Sequence, residues 1–158
     1  MANLDQWELC RDVRLRALAQ APDAFCSTLQ GEREDGEDVW RARMARTSIA
    51  LAWQDTEVVG TASIKRDPHE QGGREVVAMW VDPAHRGQSV GESLIYHLVS
   101  LARVDGAPHV ALWVAEHNAH ARALYERCGF RVTSELDLMP QGTRQIRMRR
   151  VLCALPVW

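Results

Sequence analysis

The hydrophobic and polar positions of this chain fall into alternating helix-period and strand-period segments. Near the start, Trp7, Cys10, Val13 and Ala17 recur every three or four residues, predicting a helix capped by Asp5 and ended before Pro22. The stretch from Pro22 to Asp38 mixes apolar and acidic residues without a period, and a second short helix is predicted over Glu37–Arg46. Two apolar runs, Ser48–Gln54 and Glu57–Arg66, flank the short Asp55-Thr56 connection and read as a hairpin. A third strand, Glu75–Val81, follows the polar loop DPHEQGG and is expected in antiparallel order with the first two.

In the second half, Val90, Leu94, Leu98 and Leu101 mark one face of a helix running to about Val104. DGAP breaks it, and HVALWV, His109 to Val114, is a buried strand, so the pair closes a strand–helix–strand crossover that is parallel and right-handed. Asn118 caps a further helix to about Cys128, Gly129 stands at its C′ position, and FRVTSEL and RQIRMRRVL supply two last strands. No repeat, linker or low-complexity tract interrupts this order, which is that of an α/β protein with a single domain over residues 1–158.

Composition narrows the partners. With 158 residues, 46% of them hydrophobic, the chain is sized for one substantial core, and its net charge of −2 gives no general attraction to nucleic acid or to an anionic membrane. Any anion site must be local. Cys10, Cys26, Cys128 and Cys153 are scattered with no C-x-x-C pair, which predicts reduced thiols and a cytoplasmic protein. The N-terminus lacks the layout of a signal peptide, and no apolar run approaches the roughly 18 residues of a membrane span. His117 and His120 lie at i, i+3 beside Glu116, but a third strong ligand is missing and no metal is expected. H-E-x-x-H, Walker-lysine, G-x-G-x-x-G and G-x-S-x-G motifs do not occur.

The local anion site is predicted at VDPAHRGQSVGESL, Val81 to Leu94, where a hydrophobic strand enters a glycine-containing turn that opens onto a helix. Such a turn offers successive N–H groups and the positive end of a helix dipole to a phosphate. Its residues Arg86-Gly87-Gln88-Ser89-Val90-Gly91 resemble the coenzyme-binding signature Q/R-x-x-G-x-G/A of the GNAT superfamily of acyl-CoA N-acyltransferases. A second segment, Leu112 to Phe130, resembles the family's later motif, with an asparagine opening a helix and a tyrosine one turn before its end. The resemblance extends over nearly the whole chain and implies the GNAT fold, a central mixed sheet of about six to seven strands flanked by about four helices. Ser89 departs from the signature's first glycine, and the family's short N-terminal strand looks missing or vestigial.

The resemblance implies an N-acetyltransferase that moves the acetyl group of acetyl-CoA to a primary amine of a small molecule, by direct attack in a ternary complex and without a metal. Protein or peptide N-acetylation, and a catalytically weak coenzyme A-binding sensor or scaffold, are the alternatives. It places the coenzyme against Met79, Trp80, Val81, the turn Arg86, Gly87, Gln88, Ser89, Val90, Gly91 and Glu92, and against Asn118 and Tyr125. An alkylamine is only about 0.1% neutral at pH 7, so a base assists attack. Glu75 matches the glutamate of the histone-acetylating branch, although it reads equally as a solvated carboxylate opposite Arg74. Tyr125 matches the family's general acid for the departing thiolate, and a backbone N–H near Met79 to Val81 would stabilise the oxyanion if the strand is bulged there. Asn118 serves as a helix cap, with or without a contact to the coenzyme. The acidic run Glu32, Glu34, Asp35, Glu37 and Asp38 is either a solvated face or a cleft wall that favours a cationic acceptor. The apolar tail, Cys153 to Trp158, could dock on its own domain or on a second copy, so the chain is a monomer or a homodimer.

Overall fold

In a computed structural model, which describes residues 1–153, the strands are β1 (Ser48–Gln54), β2 (Glu57–Arg66), β3 (Arg74–Val81), β4 (His109–Ala115), β5 (Arg131–Leu138) and β6 (Arg144–Val151). They form one six-stranded sheet in the order β1-β2-β3-β4-β6-β5. The β3–β4 pair is parallel and the other pairings are antiparallel. The helices are α1 (Trp7–Gln20), α2 (Leu29–Arg33), α3 (Glu37–Arg46), α4 (Val90–Val104) and α5 (Ala119–Arg127). This is the mixed sheet flanked by helices that the sequence predicts, with six strands among the described residues.

Helix α4 is the β3-to-β4 crossover and covers one face of the sheet. Its Leu94, Ile95, Leu98 and Val99 are buried against Ala62, Ile64, Val76, Val110 and Leu112, which alternate along β2, β3 and β4. Burying each such aliphatic side chain is worth about 1.5–3 kcal/mol. On the opposite face, Val13, Ala17 and Leu18 of α1 pack with Phe25, Val58 and Trp80. Trp80 therefore belongs to this second core as well as to β3.

Three local expectations need correction. Asn3, not Asp5, makes the first cap: its Oδ1 accepts the Asp5 N–H at 3.0 Å while the Gln6 side chain accepts the Asn3 N–H at 3.0 Å. That reciprocal box forms a 3₁₀ turn, Leu4–Gln6, ahead of α1. The irregular segment after Pro22 holds a 3₁₀ turn, Pro22–Ala24, and the five-residue α2, whose Thr28 hydroxyl accepts the Gly31 N–H at 3.2 Å. β3 begins one residue early, at Arg74. Ahead of α1 there is one sheet-like contact, from Ala2 N–H to Ile49 O at 2.8 Å. Residues 154–158 of the apolar tail lie outside the described residues.

Candidate active site

The central feature is a gap in the sheet. β3 and β4 are paired only from Arg74 to Val76 with Val110 to Leu112. Beyond that point, Val77, Trp80 and Val81 remain paired with β2 and Trp113–Ala115 with β6, while the facing edges lose each other. β3 is also bulged: Ala78 and Met79 together oppose Ala62, and Ala78 sits at φ +54°. The splayed edges open a cleft of about 860 Å³ between Val76–Val81 and Leu112–Ala115.

The glycine-containing turn stands at one end of this cleft. Asp82 caps a 3₁₀ turn, Pro83–His85, through the Ala84 N–H at 3.0 Å, and the chain then reverses through Gly87 at φ +75° and Ser89 at φ +61° into α4. Among the described residues, the N–H groups of Gly87 through Glu92 have no acceptor within the protein. Six consecutive free donors at the start of a 15-residue helix form a nest for an anion. Gly91 lets this helix end come close: a Cβ there would stand 3.1 Å from Leu124 Cδ2 and 3.2 Å from Met79 Cε.

Of the residues predicted for the coenzyme, Met79, Trp80, Val81, Arg86, Gly87, Ser89, Val90, Gly91, Glu92, Asn118 and Tyr125 all line the cleft. Arg86 Nε donates to Val81 O at 3.2 Å, fixing its stem beside the turn. The Glu92 carboxylate is held by Arg127 Nε at 2.8 Å. Gln88 is not among the lining residues; its side chain folds back on the turn and donates to Ala84 O at 3.3 Å. Asn118 Oδ1 accepts the Ala121 N–H at 3.0 Å, so its cap is real and its amide NH₂ is left for the cleft. Tyr125 is buried on α5, tilted against Phe130, and its hydroxyl has no hydrogen bond within the described protein. Burial, with a smaller contribution from Cys128, pushes this phenol well above the ordinary tyrosine range, so it is a proton donor throughout neutral pH.

Glu75 stands apart from this group. It is buried, its Oε1 lies 3.3 Å from Lys65 Nζ, and its Oε2 has no partner. It shares a face of β3 with Val77, two residues on, which lines the cleft; Glu75 itself does not.

The other end of the cleft was not legible in the sequence. Ala21, Ala24 and Phe25 come from the α1–α2 connection, Met139 and Gln145 from the β5–β6 hairpin, and Trp113 from β4. Gln141 ties the two loops together, its Nε2 reaching Asp23 O at 3.4 Å and Phe25 O at 3.5 Å. Only Trp113 left a mark in the sequence, because strand alternation sets it opposite to Leu112 and Val114. The acidic run does not line this end. Glu32 is buried between Arg14 at 2.9 Å and Arg43 at 3.1 Å, Asp35 meets Arg43 at 2.9 Å, and Glu37 meets Arg41 at 2.7 Å. Glu32 and Asp35 thereby tie α2 and the turn after it to α1 and α3, while the Glu37 pair lies within α3.

Residues 15–130 match the model of the acetyltransferase (GNAT) family, which covers well over half of the chain. The chain belongs to the GNAT family. This GNAT domain is 30% identical over 118 residues to mycothiol acetyltransferase of Beutenbergia cavernae, covering 75% of the chain and 39% of that relative. It is 33% identical over 111 residues to streptothricin acetyltransferase of Streptomyces lavendulae, covering 69% of the chain and 58% of that relative. The chain thus spans between two-fifths and three-fifths of the length of these curated relatives. In fold it is similar to yncA of Salmonella typhimurium, solved with its cofactor acetyl-CoA, at a TM-score of 0.76 and 19% identity over 99% of this chain and 94% of that one.

Proposed function

We propose that this GNAT domain transfers the acetyl group of acetyl-CoA to the primary amine of a small molecule. The observation that carries the reading is the continuity of three parts in one cleft: the free N–H nest of Gly87–Glu92, the unpaired facing edges of β3 and β4, and the Tyr125 hydroxyl. The nest and Arg86 suit a pyrophosphate; the free edges suit the amide-bearing pantetheine arm, taken as an extra strand. The mycothiol and streptothricin acetyltransferases among its relatives support a small-molecule acceptor.

In this reading the amine attacks the thioester carbonyl directly. Among the described residues no cysteine lines the cleft, and Cys128, at the end of α5, is buried, so an acyl-enzyme has no carrier thiol. The oxyanion is met by an N–H of the bulged segment Ala78–Val81, where the register slip frees backbone from the β2 ladder. As the carbon–sulfur bond breaks, Tyr125 donates its proton to the departing thiolate. Glu75 takes up the amine's proton through a water passing beside Val77, since its unpartnered Oε2 lies one strand repeat from the cleft. The test is a thiol-release screen with acetyl-CoA against a library of primary amines. Saturable, amine-dependent release of coenzyme A supports the reading; binding of acetyl-CoA with no release for any amine overturns it.

A further inference from the structure

The acceptor end of the cleft carries a pattern that identifies the class of amine. Its wall is aromatic and aliphatic, built from Phe25, Val77, Trp80, Trp113 and Met139. Each of the three rings already has a guanidinium of the chain itself on one face. Arg14 Cζ stands 4.4 Å from the Phe25 centroid, Arg16 Cζ 5.0 Å from Trp80, and Arg147 Cζ 5.9 Å from Trp113. A ring's negative face is the usual apolar-site device for holding an organic cation, and here it is engaged from within. A second cation on the opposite face would meet the first one's repulsion across the ring.

The charges of the whole lining run the same way. Arg86 and Arg127 line the cleft against one carboxylate, Glu92, and Arg127 occupies that carboxylate at 2.8 Å. Of the acids near the α1–α2 connection, Glu32 and Asp35 are paired with Arg14 and Arg43 and Glu37 with Arg41, and Asp23, though unpaired among the described residues, is not one of those that line the cleft. Along the described lining of the cleft a polycationic acceptor therefore finds no unpaired carboxylate, and no ring that does not already carry a cation on one face, for its remaining charges. A neutral aromatic body finds three rings and a methionine to pack on.

We infer that the acceptor is a monoamine carried on an apolar body of aromatic size, and not a polyamine or other polycation. This rests on the acetyl-transfer reading, and the two are separable. The probes are 2-phenylethylamine and spermidine, each assayed for acetyl-CoA-dependent thiol release and, separately, by calorimetry for binding to the protein saturated with coenzyme A. The expected result is a kcat/KM for 2-phenylethylamine at least tenfold above that for spermidine, with saturable calorimetric binding of the former. Equal or better turnover of spermidine overturns this inference and leaves acetyl transfer standing. Binding of 2-phenylethylamine without acetylation of either amine leaves the assigned acceptor chemistry standing and overturns acetyl transfer if the amine library also gives no thiol release. Failure of 2-phenylethylamine both to bind and to react overturns the inference.

A charge-adding variant supplies the second arm. Ala24 lines the cleft at an exposed position, so Ala24→Glu places a carboxylate there without disturbing a core. It is expected to shift the ratio of the two kcat/KM values at least tenfold toward spermidine. An unchanged ratio, with coenzyme A affinity preserved, overturns the assignment of this end of the cleft to the acceptor.

Discussion

Ser89 is the residue on which local backbone physics makes its sharpest prediction. It holds φ +61° and ψ 10°, the left-handed region, at the N-cap of α4. For a residue with a Cβ this conformation costs about 1–2 kcal/mol, while glycine adopts it freely. The hydroxyl recovers none of that cost through capping, because it makes no hydrogen bond to the first turn of α4. Ser89→Gly removes the strain but loosens the unfolded chain, an opposing effect of about 0.4–1 kcal/mol. The net expectation is stabilisation by roughly 0.5–1 kcal/mol, which for a chain of this size raises Tm by about 1–4 °C. Ser89→Ala keeps the Cβ and the strain, so it should not gain stability. The assay is urea and thermal unfolding of the three proteins without ligand, with coenzyme A affinity measured in parallel. If glycine proves no more stable than alanine, the strain argument fails. If both variants weaken coenzyme A binding to the same degree, the hydroxyl is itself a phosphate ligand.

Tyr125→Phe should lower kcat by about 10²-fold or more with little change in coenzyme A affinity, read by steady-state kinetics and calorimetry. Burial raises the phenol in the folded state, so its contribution to stability is complete below about pH 10 and lost as pH climbs; the phenylalanine variant should lose less stability in alkali. Glu75→Gln should reduce kcat in steady-state kinetics, while an unchanged kcat would remove Glu75 from proton transfer. Arg147, fully buried, pairs with Asp67 and meets Glu135 at 2.8 Å, so Arg147→Ala should cost about 3–5 kcal/mol in urea unfolding. Asp67 feels burial, which alone raises its pKa. That effect is outweighed by hydrogen bonds from the His69 N–H and His109 and by the charge of Arg147, which hold the carboxyl below its usual range. Its contribution is full above about pH 4 and fades as the pH falls through the lowered value, so wild-type stability should drop more steeply in acid than that of the variant. Burial pushes the Cys10 thiol up to about 11, leaving about a thousandth of it as thiolate at pH 8. Iodoacetamide mapping by mass spectrometry should therefore label the exposed Cys26 and Cys153 well before Cys10 and the buried Cys128.

What the sequence disclosed follows from how locally each element is specified. α3 and α4 run over Glu37–Arg46 and Val90–Val104 as their side-chain patterns predict, because a helix of several turns repeats its apolar face often enough to be seen. The one-turn-long α2 repeats nothing; Thr28 starts it, and the ion pairs of Glu32 with Arg14 and Arg43, 18 and 11 residues away, hold it in place. The first cap failed for a related reason: Asn3 and Asp5 both suit the role, and Gln6 decides between them by closing the box onto Asn3. The end of the cleft at the N–H nest is legible since one contiguous turn carries it. The opposite end joins residues more than 100 positions apart, such as Phe25 and Gln141, and no spacing rule links them. Glu75 was placed on the correct strand, but Lys65, its cross-strand neighbour, becomes visible only with the register.

The interrupted β3–β4 ladder has a mechanical consequence. Three residue pairs join a half-sheet made of β1, β2 and β3 to one made of β4, β5 and β6, so the two halves meet at a narrow isthmus beside α4. A ligand that lies between the open edges becomes the missing strand and ties one half to the other. Affinity and rigidity are then the same quantity seen from two sides: at a hundredfold excess over Kd, such a ligand adds about 2.7 kcal/mol to the stability of the fold. In the acetyl-transfer reading proposed above, loss of the coenzyme product would free those edges again.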